Sequence, residues 1–331
     1  MDVRDVTSPP GGVGDPLPPP RRERRRIPEL TALLVFLAAE MVFFSVKSEF
    51  FLAWDNWLNI MVAIAVIGIM AAPGTLLLTA GQLDLSVGSI AAFTSVVTAN
   101  LALHHNLTIA VLGGVLAGLA VGVVNGTLVT VFGVSALITT LGTLATFRGL
   151  TEVIANGETI IVEGFGTLGT SRPFLNIPVP ALILVAVFAT FWAVMRYTVF
   201  GRSMYAIGAN PTAARLVGIR SKQYIFFAFM LSAACCALSG LILTSQLNVG
   251  SPVFGTGIEL SVITAIVLGG ASLSGGRGSV IGTAIGLLII GVLNNGLTLT
   301  GVDPFWQNVA RGTLLITAVV FDRLRARYES A

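Results

Sequence analysis

Residues 85–147 read LSVGSIAAFTSVVTANLALHHNLTIAVLGGVLAGLAVGVVNGTLVTVFGVSALITTLGTLATF and hold no Asp, Glu, Lys or Arg. A helix crossing the hydrocarbon of a bilayer needs about 20 apolar residues, so the stretch has room for three crossings. Turn-like breaks at His104-His105-Asn106 and Phe132-Gly133 divide it accordingly. The runs 58–83, 173–195, 223–258, 260–276 and 278–302 are also uncharged. Adding 29–46, interrupted by Glu40, and 305–321, interrupted by Arg311, predicts helices near 29–46, 58–80, 86–104, 107–131, 135–155, 179–197, 223–246, 258–274, 278–299 and 305–322. The expected fold is an all-α integral membrane protein of about ten transmembrane helices.

Composition excludes the soluble alternatives. The chain of 331 residues is 54% hydrophobic and only 11% charged, with a mean hydropathy of +0.88, where a soluble domain carries about 25% charged residues. A net charge of +3 gives no reason to expect nucleic acid as a partner. Cys235 and Cys236 are adjacent in an apolar run, which suits packing rather than a disulfide frame.

Residues 1–28 differ from the rest. Pro9-Pro10-Gly11-Gly12, Pro18-Pro19-Pro20 and Arg21-Arg22-Glu23-Arg24-Arg25-Arg26 predict a disordered tail, followed by a retained first span and a polytopic domain over 29–325. Lys and Arg concentrate on the cytoplasmic side of membrane proteins. With the amino terminus inside, ten crossings leave fifteen basic residues inside and two, Lys47 and Arg172, outside. Both termini are therefore expected in the cytoplasm. Gly122-Val123-Val124-Asn125 and Gly291-Val292-Leu293-Asn294 recur on the fourth and ninth helices, each with a Gly-Val pair shortly after. Those helices cross in opposite senses, as an inverted repeat of five helices requires.

The chemistry-bearing residues are few. A phosphate-binding loop needs Gly-Lys-Ser/Thr, but Lys47 follows Val46 and Lys222 follows Ser221, so any ATP must be hydrolysed by partner subunits and no cofactor is expected on this chain. Gly164-Phe165-Gly166-Thr167-Leu168-Gly169 matches a dinucleotide fingerprint in letters only. Arg172-Pro173, Pro178 and Pro180 follow it where a helix should start, so an external glycine-rich loop is expected. His104-His105 reads as a hydrated turn. Glu40, Glu152 and Glu259 suit interfacial or interhelical pairing. Asp84, with Ser86 two residues on, stands between two apolar spans and is expected to cap the following helix or to line a gate. Asn125 and Asn294, the paired polar positions of the repeat, are candidates for the translocation path of a neutral solute, together with Asn295 and Gln82. Residues 198–222 form the longest cytoplasmic connection. Within it Asn210-Pro211 starts and Gly218 stops a helix of about two turns, with Ala213, Ala214 and Val217 on one docking side.

At these residues the chain resembles a known family. Gly81-Gln82-Leu83-Asp84-Leu85-Ser86-Val87-Gly88-Ser89 is similar to the Gly-x-Ile-Asp-Leu-Ser-Val-Gly-Ser signature of sugar permeases in bacterial ATP-binding-cassette importers, of the ribose, xylose, arabinose, rhamnose and autoinducer-2 type. Gly208-Ala209-Asn210-Pro211-Thr212-Ala213-Ala214-Arg215-Leu216-Val217-Gly218-Ile219 resembles their cytoplasmic coupling loop. The stretches Gly269–Gly282 and Gly291–Gly296, and Pro304-Phe305-Trp306-Gln307, resemble their carboxy-terminal half. The likeness runs from about residue 55 to 325 and departs from the pattern at Gln82-Leu83. It implies about ten helices with an inverted repeat and a second permease subunit, identical or paralogous. It also implies two nucleotide-binding ATPase domains that bind the ATP, and a periplasmic sugar-binding protein. Residues 201–222, with Gly201, Gly208, Asn210, Pro211, Ala213, Ala214, Arg215 and Gly218 carrying the pattern, would dock on the ATPase. Permeases for branched-chain amino acids or nucleosides are the neighbouring alternative. An ion-coupled secondary transporter lacks the midplane carboxylates it would need, and an intramembrane enzyme lacks a nucleophile–base pair.

Overall fold

Lipid offers backbone amides no hydrogen-bonding partner, so a spanning chain must close its hydrogen bonds within helices. The computed structural model describes residues 29–330, with side chains between 30 and 320, and it is built almost wholly of helices. They are α1 (Glu29–Lys47), α2 (Trp54–Thr79), α3 (Val87–Ala102), α4 (Leu107–Thr130), α5 (Ala136–Ala155), α6 (Thr167–Thr170), α7 (Val179–Tyr197), α8 (Val199–Ala209), α9 (Pro211–Leu216), α10 (Ser221–Leu247), α11 (Ile258–Leu268), α12 (Val280–Leu299) and α13 (Pro304–Ser330). One antiparallel pair joins β1 (Ile160–Ile161) to β2 (Val249–Gly250), with Ile160 opposite Gly250. The tail expected over 1–28 lies outside the described residues.

Six of these helices, α1, α2, α4, α7, α10 and α12, are long and apolar enough to cross a membrane. The helix expected over 258–274 stops at Leu268, because Gly269-Gly270 turns the chain and Gly270 adopts φ +89°, a conformation that costs a residue with a β-carbon. The two-turn helix expected in the long connection is α9, and the structure adds another helix, α8, directly before it, with Asn210 between the two.

Packing explains the glycines of α4. Gly114, Gly118, Gly122 and Gly126 repeat every four residues and line one face. They bring α4 against Thr94 and Thr98 of α3 and against Ala233, Ala237 and Phe226 of α10. Van der Waals contact between small residues is what holds helices together in lipid. Hydroxyls close further gaps: Ser239 donates to Val66 O at 3.1 Å and Thr244 to Ser95 at 2.7 Å. Cys236 is buried in the same core and both cysteines are free.

The glycine-rich loop 164–169 leads into α6, and Gly169 packs against the backbone of Gln246 while its N–H donates to Ser245 Oγ at 2.8 Å. Of the three glycines, Gly169 alone serves this close docking on α10, while Gly164 turns the chain at φ +75°. His104 and His105 lie exposed in a turn, and Asn106 beside them caps α4 by accepting from the Ile109 N–H at 3.0 Å.

Candidate translocation and coupling site

Two short helices start from irregular backbone, and their beginnings meet. α3 follows the turn and irregular segment 80–86 and α11 follows the turns of 251–257. Gly88, in the first turn of α3, lies against Gly255, just before α11. A β-carbon on Gly255 would be 2.6 Å from the Gly88 carbonyl oxygen, and one on Gly88 would be 2.9 Å from Glu259 Oε2. Only two glycines permit this approach. Arg148 of α5 holds the same turn by donating to the carbonyls of Pro252 and Phe254 at 2.7 and 2.6 Å. Glu259 Oε2 is buried and accepts no hydrogen bond among the described residues, as is Glu40 Oε2.

Asp84 sits at membrane depth. Its Oδ2 accepts from Ser232 Oγ at 2.8 Å, and Ser232 is the twelfth residue of α10, about 17 Å along a helix rising 1.5 Å per residue. Its Oδ1 accepts from the Ser86 N–H at 3.0 Å and the Ser86 hydroxyl at 2.6 Å. Ser86 Oγ in turn accepts from Asn125 Nδ2 at 2.8 Å, and Asn125 Oδ1 accepts from Thr143 at 2.8 Å. The donors run from α5 through α4 and the start of α3 to one carboxylate, which α10 also grips. Asp84 thus fixes the chain entering α3, through the N–H of the cap residue Ser86 rather than those inside the helix. It is 6% exposed and closed off by these donors, so it does not line an open gate in this conformation.

The path candidates divide. Asn125 is wholly buried and both ends of its amide are used in this network; in this conformation it joins helices. Asn295 likewise forms a reciprocal amide pair with Asn56 of α2, at 3.0 and 2.8 Å. Asn294 accepts from Arg311 Nε of α13 at 3.3 Å. Gln82 lines a cavity of about 580 Å³ with Leu83, Val134 and Ser135. The structure adds a cleft missed at the sequence level, about 320 Å³ between α11 and α13, lined by Thr256, Ser261, Thr264, Asn308 and Arg311. It sets three hydroxyls, one amide and the Arg311 guanidinium among the apolar Ile67, Ile258, Leu260 and Leu315, and lies where α11 starts. Arg311 was legible as a cation inside an apolar run; the hydroxyls were lost among the many that bond back to their own helix, as Thr264 does to Leu260 O at 2.6 Å.

The connection 198–222 is locked to the end of α2 and to the 269–279 loop. Thr198 caps α8 by accepting from the Gly201 N–H at 3.2 Å, and Gly201 lies directly on the last turns of α7. Gly208 abuts the Thr79 carbonyl, and a β-carbon there would be 2.5 Å from Gly276 N. Gly276 N donates to the same Thr79 oxygen at 2.8 Å, and Tyr205 donates to Gly278 O at 2.6 Å. Burial pushes the Tyr205 phenol above its ordinary pKa, keeping it a donor. Asn210 caps α9 by accepting from the N–H groups of Thr212 and Ala213 at 3.0 and 2.9 Å, with Pro211 at the first position, and Gly218 ends the turn at φ +85°. Ala214, expected beside Ala213 and Val217 on a docking side, is instead buried against the chain's own core. Its neighbours Ala213 and Arg215 are exposed, as are Leu216 at 84% and Val217 at 77%. The α8–α9 corner turns Ala214 inward, a contact local periodicity does not reveal.

An almost wholly helical assembly of long apolar helices, with a tightly docked connection between two of them, describes a membrane permease. The family model described as the branched-chain amino acid transport system permease component matches residues 56–319, and the chain belongs to that family. It is a multi-pass protein of the inner membrane. The ribose import permease protein RbsC of Bacillus subtilis (strain 168) is 40% identical over 291 residues, covering 86% of this chain and 90% of the relative. The L-arabinose ABC transporter permease protein AraH of Azospirillum brasilense is 36% identical, over 85% of this chain and 84% of its own. The D-allose transport system permease protein AlsC of Escherichia coli (strain K12) is 36% identical, over 86% and 88%. No solved structure matches the chain.

Proposed function

We propose that the chain is the transmembrane subunit of an ATP-binding-cassette importer and moves a monosaccharide inward. It works with a second permease subunit, two ATPase domains that bind the ATP, and a periplasmic sugar-binding protein. Ten crossings with both termini cytoplasmic put 198–222 on the ATPase side, and the meeting of α3 and α11 through Gly88 and Gly255 supports an inverted repeat. The observation that carries the reading is the coupling connection. Gly208 touches the backbone of both α2 and the 269–279 loop, so a push on the exposed Leu216-Val217 tip reaches the intramembrane loops without a flexible side chain between. The cleft bearing Thr256, Asn308 and Arg311 offers the weak, exchangeable hydrogen bonds that a hydroxyl-rich solute needs in passage; Asn294 bonds Arg311 of its lining, and Gln82 lines a separate cavity.

Copurification tests the coupling. Leu216→Asp with Val217→Asp places two charges on an apolar contact surface, and the variant should insert in the membrane, lose the ATPase on purification and lose uptake of labelled ribose, arabinose or allose. Wild-type yield of the ATPase with the doubly substituted chain would overturn the assignment of the tip. Uptake of labelled leucine with no sugar uptake by the intact complex would overturn the substrate class.

A further inference from the structure

Away from the solute cleft, α7 and α12 lie side by side on α2, and a groove of about 390 Å³ runs between them. All twelve residues lining it are apolar, among them Met61 of α2, Phe188 and Trp192 of α7 and Ile281 of α12. Gly68 floors it where Leu184 and Leu287 converge. The groove is too small for a helix, whose diameter with side chains is about 10 Å or more, and has the section of a single extended hydrocarbon chain. Its lining on α7 runs from Leu184 to Trp192, about 12 Å along the axis.

One end of the groove is cationic. Val185, Ala189 and Trp192 line it at spacings of four and three residues, and Arg196 continues that face one turn later and is exposed. Tyr197 packs edge-on against Trp192 with ring centroids 5.4 Å apart, and Arg202 donates to the Tyr197 carbonyl at 3.4 Å. Val280 and Ile281, at the start of α12, close this same end, two to three residues beyond the Gly278 carbonyl that Tyr205 of α8 holds. Residues 196–222 carry five basic residues and no acidic one. An apolar slot ending in Trp, Tyr and Arg has the layering of one lipid molecule, since Trp and Tyr settle at headgroup level and clustered cations there attract anionic lipid.

We propose that this groove binds one anionic phospholipid, an acyl chain lying between α7 and α12 and the phosphate at Arg196 and Arg202. The site rests on the membrane orientation proposed above but on neither the ATPase nor the sugar. It would hold α7, and hence the α8 connection that follows directly from it, against α2.

Native mass spectrometry of the delipidated full chain, titrated with dioleoylphosphatidylglycerol or dioleoylphosphatidylcholine, tests it. One phosphatidylglycerol should be retained in preference to phosphatidylcholine, and Arg196→Gln should cut that preference about fivefold, the worth of one basic residue near a headgroup. Ala189→Trp, at an exposed groove position, should abolish retention of both lipids. Equal retention of the two lipids by the wild type, or an undiminished preference in Arg196→Gln, would overturn the site. So would a cooperatively unfolding Ala189→Trp chain that still holds lipid. Efficient cross-linking of Trp192→Cys between two chains in the membrane would give the groove to a second copy instead, again overturning the lipid. Sugar uptake surviving any of these results would leave the transport reading intact.

Discussion

Asp84→Ala removes the acceptor shared by the Ser86 N–H, the Ser86 hydroxyl and the Ser232 hydroxyl. Hydrogen bonds to a charged acceptor contribute about 1.5–3 kcal/mol each, but the three losses do not simply add. The Ser232 hydroxyl can rotate onto a carbonyl one turn back in α10, but Ser86 precedes α3, so its N–H and hydroxyl are the donors left stranded. A stranded buried donor costs about 1–3 kcal/mol. With the loosening of Asn125 and Thr143 behind it, a destabilisation of about 3–5 kcal/mol follows. Asp84→Asn keeps Oδ1 for both Ser86 donors, and its Nδ2 can donate to a rotated Ser232 hydroxyl, so it should cost only about 1 kcal/mol. Ser232→Ala should cost about the same, because it removes one donor and leaves the other two in place. Unfolding of the full chain in mixed micelles by SDS titration measures all three. If Asp84→Ala is as stable as wild type, the network does not hold α3. If Asp84→Asn loses as much as Asp84→Ala, the charge rather than the acceptor geometry matters, and the reasoning fails.

Two further tests bear on coupling and path. Gly208→Ala forces a methyl group against the Thr79 carbonyl and within 2.5 Å of Gly276 N; overpacking of this kind costs about 1–3 kcal/mol. The assembled complex should keep its ATPase while hydrolysis loses its response to sugar-loaded binding protein, and wild-type uptake would refute the relay. Asn308→Cys, on the exposed wall of the α11–α13 cleft, should react with a small water-soluble thiol reagent and be protected by transported sugar. Asn125→Cys should stay unreactive in every nucleotide state; the opposite pattern would return Asn125 to the path.

How much was legible in the residues follows from which interactions are local. Hydrocarbon acts on every residue of a spanning segment alike, so charge-free length alone placed the helices, and α4, α5, α7 and α10 begin and end within a few residues of the expected positions. Capping is equally local: Asn210-Pro211 and Gly218 bound α9 as their chemistry requires. Family membership was legible for the same reason, in contiguous motifs. What the residues could not tell was which way each side chain faces. A soluble helix shows its buried side by an apolar stripe, whereas α4 is apolar all round, so only its neighbours decide that Asn125 meets Ser86 and Thr143. The same holds for Ala214, turned inward by the α8–α9 corner, and for Asn295, claimed by Asn56 from 239 positions away. The meeting of Gly88 with Gly255 is likewise a backbone contact between distant segments. Sequence by itself determined a membrane permease, its helices and the caps of its longest connection, because hydrophobicity and caps act through neighbours in the chain. Tertiary structure alone decided which polar groups hold helices together and which face a cleft, because in a uniformly apolar chain that choice is made by neighbours in space.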